Sequence, residues 1–214
     1  MTTSPSTPLT AARMPQAVDE LSRVDPDLAI LAQRHGPPPL WAKPTGFATL
    51  VRMILEQQVS LKAARTIYKR LQAEVGRVRP HTIAHCQISD LRAAGITGGK
   101  SGYIIGLAQA VSRREIDLPG LARLPDDEVR RQLTALRGIG PWTADIYLLM
   151  VLRRPDIYPI GDLALAISMQ RLKGWCERPD DKRQQRQARR WRPWRAVATR
   201  MLWQDYLAIQ AGRS

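Results

Sequence analysis

Cysteine is nearly missing from this 214-residue chain, which holds only Cys86 and Cys176. Two thiols cannot supply a four-thiolate iron–sulfur cluster or zinc site. One disulfide is conceivable, but a chain kept reduced in the cytoplasm is the simpler reading. No apolar run approaches the ~20 residues of a membrane span, so no membrane partner is expected. The opening MTTSPSTPLTAARMPQ lacks the basic start and apolar stretch of a signal peptide, and residues 1–18 are expected to form a disordered tail. Acidic residues are scarce as well: 19 Asp and Glu stand against 33 Lys and Arg, a formal charge of +14. Such an excess attracts polyanions, of which nucleic acid is the usual one, although an Arg-rich composition without a specific partner would carry the same charge. Convincing strand alternation is lacking throughout.

What is present is helical periodicity. In GFATLVRMILEQQVS, Phe47, Leu50, Val51, Ile54 and Leu55 form one apolar stripe. Ser60 is placed to cap a helix LKAARTIYKRLQAEVG that Gly76 closes, and Ser89 to cap the short DLRAAG. A further helix follows the Gly-rich TGGK, and Pro125 opens another with acids in its first turn. ADIYLLMVLRR is apolar nearly all round and reads as a central buried helix; a last helix starts at Pro193. CERPDDKRQQRQARR lacks a core face and reads as a solvated helix or loop, with a DNA-backbone role as the unspecific alternative. The expected architecture is all-α, two helical lobes flanking a DNA-binding cleft within residues 19–214. The central lobe covers about 46–130, a hairpin and catalytic segment about 131–173, and C-terminal helices about 191–210.

The most informative segment is LTALRGIGPWTADIYLLM. Gly138 and Gly140 permit positive φ and leave backbone amides uncovered around Ile139, and Pro141 takes the first position of the next helix. Those amides, with the helix N-terminus, suit one phosphate, and Thr143 offers a hydroxyl. A Gly-rich connector between antiparallel helices is the plainer explanation of a lone GxG. The fuller pattern L-x-G-I-G-x-W-T-A resembles the helix-hairpin-helix of the DNA glycosylase superfamily that includes endonuclease III and the bacterial alkylbase glycosylases. That resemblance implies a monovalent cation, Na or K, on hairpin carbonyls, here those of Leu136 and Ile139.

The resemblance continues into RRPDIYPIGDLALAISMQRL, where the family runs through a Gly/Pro-rich loop to a catalytic Asp opening a helix. Pro159, Gly161 and Asp162 fit, so Asp162 is the implied catalytic carboxylate; it is equally an N-cap, and the two roles are compatible. Asp156 is the local competitor, in a position that suits a turn or salt bridge. The implied reaction is hydrolysis of an N-glycosidic bond, with the carboxylate opposing the positive charge that develops on the sugar. Strand-cleaving relatives carry a Schiff-base Lys in the hairpin; this chain has Trp142 there, which implies base removal without lyase activity. Trp142 and Trp203 match positions of the family's aromatic base pocket, suited to cationic alkylated purines, with core packing as the alternative for each. Tyr147 lines either pocket or core.

More weakly, the resemblance covers about residues 45–210. Gln57, Gln58 and Ser60 fall in a DNA-facing motif, while Trp191, Pro193, Trp194 and Arg195 are structural. Too few residues precede Gly46 for the extra N-terminal β-rich domain of a larger bacterial member. Where that protein inserts a bulky wedge into the duplex, this chain has Gly98 and Gly99; Ile96 or another loop is left to supply one, and Lys100 contacts phosphate or starts a solvated helix. HTIAHC, with His81, His85 and Cys86, lacks a third ligand and is not read as a metal site. The expectation is a monomeric, cytoplasmic, nucleoid-associated base excision repair enzyme acting on damaged double-stranded DNA, without cofactor. The alternatives are a glycosylase for neutral lesions (uracil, oxidised or mismatched bases) and a non-catalytic DNA-binding module.

Overall fold

The computed structural model describes residues 7–212, all of whose regular elements are helical. The α-helices along the chain are α1 (Met14–Val24), α2 (Pro26–His35), α3 (Phe47–Glu56), α4 (Leu61–Val75), α5 (Pro80–Ala84), α6 (Ile88–Ala93), α7 (Gly98–Ser112), α8 (Asp126–Thr134), α9 (Pro141–Ile146), α10 (Leu163–Leu172), α11 (Asp181–Arg189) and α12 (Arg195–Ala211). Two compact units contain them: residues 43–147, and residues 7–42 with 148–212. The hairpin therefore belongs with the central helices rather than with the segment that carries Asp162.

In the unit of residues 43–147, α3 buries its stripe of Phe47, Leu50, Val51, Ile54 and Leu55. The Ser60 hydroxyl caps α4 by accepting from the Ala63 amide at 3.2 Å, and Gly76 ends that helix with φ +69°. α7 starts earlier than the sequence suggested. Thr97 caps it, so Gly98 and Gly99 form its first turn rather than a loop. Ser89 does not cap α6; the Asp90 carboxylate accepts from the Gln87 amide at 2.7 Å, and Ser89 lies inside the helix. Three acids, Asp126, Asp127 and Glu128, occupy the first turn of α8, where the macrodipole favours them.

The second unit joins the two ends of the described chain. Residues 7–18 are not a tail: the Leu9 amide donates to the Arg153 carbonyl at 2.7 Å, and Leu9, Met14, Ala17 and Val18 are buried. Residues 1–6 of the expected tail lie outside the described residues. The core here runs from Leu9, Leu21, Leu28 and Leu31 to Leu165, Met169, Trp191, Val197 and Leu202. A buried Asp25 ties these elements together, accepting from Trp191 Nε1 at 2.7 Å, Lys173 Nζ at 2.7 Å and Gln187 Nε2 at 2.9 Å. Such a carboxylate survives burial only because donors surround it. The Arg-rich segment forms α11, which buries Gln184 and Ala188 along one narrow edge.

The buried helix expected over 144–154 is split. α9 passes at Tyr147–Val151 into a π-helical turn, and Leu148 and Leu149 are fully buried. α12 begins at Arg195, two residues past Pro193. Among the described residues no helix is long and apolar enough to cross a membrane.

Candidate active site

The hairpin between α8 and α9 is built around two glycines with different duties. Gly138 takes φ +88°, and its Cα faces Tyr103 of α7 so closely that a Cβ there would stand 2.3 Å from the phenol ring. Gly140 has an extended backbone and open space around it, so it leaves the N-terminus of α9 uncovered. Ile139 points inward and is buried, and its amide donates to the Leu136 carbonyl at 3.1 Å. That carbonyl keeps a second lone pair, which fits the cation implied there.

Gln57, at the end of α3, reaches this turn. Its Nε2 donates to the Gly138 carbonyl at 3.0 Å and to Thr143 Oγ1 at 3.1 Å. Thr143 is only 3% exposed, so the phosphate contact expected of its hydroxyl is replaced by this internal bond. Lys100 is likewise diverted: its Nζ donates to the carbonyls of Leu55 at 2.9 Å and Gln57 at 2.6 Å. It caps the C-terminus of α3, where unpaired carbonyls and the negative end of the dipole need a cation, and burial lowers its pKa. Gln58, Val59, Ser60 and Leu61 are exposed, and Gln58 adopts φ +57°. Ile96 is buried and so cannot serve as a wedge in this conformation.

Trp142 stands on the first turn of α9 and is 39% exposed. Tyr147 is fully buried and belongs to the interior; its hydroxyl finds no hydrogen-bond partner among the described residues, and burial pushes its pKa up to about 12.

In the other unit, Asp162 caps α10. Its Oδ1 accepts from the Leu165 amide at 3.0 Å and from Trp203 Nε1 at 3.3 Å, and the residue is 8% exposed. The positive end of the α10 dipole and two N–H donors thus converge on one carboxylate. Gly161, at φ +82°, makes the bend that delivers it. Asp156 is occupied otherwise: Arg195 Nε and Nη2 donate to its two oxygens at 2.6 and 3.0 Å. Trp191 and Trp194 are buried, as expected of structural residues. His85, just past the end of α5, meets the His81 carbonyl of that helix through Nδ1 at 2.7 Å.

Residues 51–195 match the family described as HhH-GPD superfamily base excision DNA repair protein. The chain belongs to this superfamily. A DNA-3-methyladenine glycosylase of Bacillus subtilis is 29% identical over 86% of this chain and 65% of its own length. A probable bifunctional transcriptional activator/DNA repair enzyme AlkA of Mycobacterium tuberculosis is 33% identical over 88% of this chain and 39% of its own length. The chain thus spans about two thirds or less of these relatives. Among solved structures, a DNA-3-methyladenine glycosidase from Bacillus halodurans superposes with a TM-score of 0.81 at 29% identity, covering 99% of this chain and 94% of that one. A 3-methyladenine DNA glycosylase of Schizosaccharomyces pombe, in complex with abasic DNA, gives 0.76 at 25% identity over 88% and 95%.

Within this HhH-GPD chain, sequence reasoning passed over Tyr103, which supports Gly138, and Trp41, whose ring lies 6.5 Å from that of Trp203. Nothing local marks Tyr103. Trp41 had one signal, a lone aromatic in PPPLWAKP. The bracing by Gln57 yields a direct prediction. Gln57→Ala should cost about 1–2 kcal/mol in denaturant unfolding, because the Gly138 carbonyl and Thr143 lose a donor. Unchanged stability with weakened DNA binding would instead make Gln57 a DNA-facing residue.

Proposed function

We propose that this chain is a monofunctional DNA glycosylase that removes alkylated purines, of the 3-methyladenine and 7-methylguanine type, from double-stranded DNA. The observation that carries the proposal is the Asp162 carboxylate, gathered by the Leu165 amide and the Trp203 indole at the start of α10. Names of relatives and the charge of +14 support it.

In this scheme the uncovered amides at Gly140 and the N-terminus of α9 hold a backbone phosphate, which positions the strand without reading its sequence. A monovalent cation on the carbonyls of Leu136 and Ile139 would add positive charge behind that phosphate. The base is turned out of the stack and meets the indole face of Trp203, beside the carboxylate that this indole touches. The bond from C1′ to the base nitrogen breaks, and its electron pair leaves with the base. An alkylated purine already carries positive charge, so it departs without a strong general acid. The negative charge of Asp162 stabilises the cationic sugar, water adds to C1′, and the carboxylate accepts the water's proton before passing it to solvent.

A base-release assay across duplexes bearing 7-methylguanine, 3-methyladenine, uracil and 8-oxoguanine tests this. Free base is expected from the alkylated duplexes. Release confined to the neutral lesions would overturn the substrate assignment, and no release at all would leave a backbone-binding module. Borohydride should trap no protein–DNA adduct in the same reactions, because Trp142 puts an indole where a Schiff base needs an amine. A trapped adduct would overturn monofunctional chemistry.

A further inference from the structure

Trp41 precedes α3 in an irregular segment and takes φ +46°, a left-handed conformation that bulky aromatic residues rarely adopt. Such a conformation persists only where the surroundings over-determine it. Here the fastening is Arg200 of α12, whose side chain is fully buried. Its Nε donates to the carbonyl of Leu40, the peptide just before Trp41, at 2.9 Å; Nη1 and Nη2 hold the carbonyls of Ala196 at 2.9 Å and Leu149 at 2.8 Å. The hydrolytic scheme makes no use of this guanidinium, yet it is withdrawn from solvent and committed to backbone.

What the clamp achieves is an aromatic arrangement. The Trp41 ring sits 6.5 Å from the Trp203 ring at an interplanar angle of 59°. Trp203 in turn donates Nε1 to Asp162. Both tryptophans are half-buried, so part of each ring remains accessible. A continuous path of contacts therefore runs from Arg200 through Leu40 and Trp41 to the indole that touches the carboxylate.

We propose that Trp41 is a specificity-determining residue, a second indole that works with Trp203 to favour cationic bases over neutral ones. This rests on the glycosylase reading above. The negative ring faces of two inclined indoles attract a delocalised cation more strongly than a neutral purine. The strained backbone and its clamp set the angle at which Trp41 meets Trp203.

The test compares Trp41→Phe with Trp41→Leu in the full chain. Both place an L side chain at the same φ, so backbone strain is shared; only Phe keeps a π face. Single-turnover release of 7-methylguanine and of hypoxanthine, a neutral purine, is measured for each, with melting temperatures alongside. Phe is expected to stay within about 3-fold of the parent, while Leu loses about 10-fold on 7-methylguanine with little change on hypoxanthine. Equal behaviour of the two variants, or a parallel loss on both bases, overturns the inference and makes Trp41 a packing residue. A parent chain that releases neither base removes the glycosylase reading itself, and one that releases only hypoxanthine overturns the alkylated-substrate assignment; both results are separate from any difference between variants.

Discussion

Asp162→Asn should lower single-turnover base release by about 10²–10⁴-fold while duplex affinity stays within a few-fold of the parent. The substitution separates charge from structure. Asn caps helices as well as Asp, and an amide oxygen can still accept from the Leu165 amide and the Trp203 indole. What disappears is the negative charge that opposes the cationic sugar and the oxygen that takes the water's proton. Stability should therefore change little, and circular dichroism with a binding titration on an undamaged duplex checks that. Undiminished base release would remove Asp162 from the chemistry. The contrast is Asp156, six residues earlier, whose oxygens are both engaged by Arg195.

Gly138→Ala should be the most damaging small substitution in the hairpin, costing about 2–5 kcal/mol in denaturant unfolding and at least about tenfold in DNA affinity. Two penalties add. The φ of +88° disfavours any Cβ, and that Cβ would press 2.3 Å from the Tyr103 ring carbons, near the root of the side chain where it cannot swing aside. Gly140→Ala is the matched control. Its backbone is already extended and a Cβ would meet nothing within 4 Å, so folding should shift by no more than about 0.5 kcal/mol. A loss of affinity at Gly140→Ala without loss of stability would report close approach of phosphate to that backbone. If Gly138→Ala proves as stable as the parent, Tyr103 does not buttress the turn and this account of the hairpin is wrong.

Much of this is legible in the amino-acid sequence. The stripe of α3, the Ser60 and Gly76 boundaries of α4, the acids opening α8 and the cap at Asp162 all rest on residues within four positions of one another. The readings that failed share a different feature. For Thr143, Lys100, Ile96 and Tyr147 the place in the chain offers a role at DNA, as a wedge or in a base pocket, for the last three beside a plainer alternative, but each is diverted by a partner or a burial that the chain brings from elsewhere. Residues 7–18 looked like a tail because their composition is unremarkable, yet Leu9 finds the Arg153 carbonyl and a place in the core.

By itself the amino-acid sequence determined the helical class, the ends of α4 at Ser60 and Gly76, the two-glycine turn and the acid at the start of α10, because periodicity and capping act over a single turn of chain. Only the tertiary structure decided which polar groups were left to face solvent. That choice depends on distant segments meeting: Gln57 with Gly138, Lys100 with the end of α3, and Arg200 with the peptide before Trp41. A buried donor or acceptor must find a partner wherever the fold presents one, and no local pattern records where that will be.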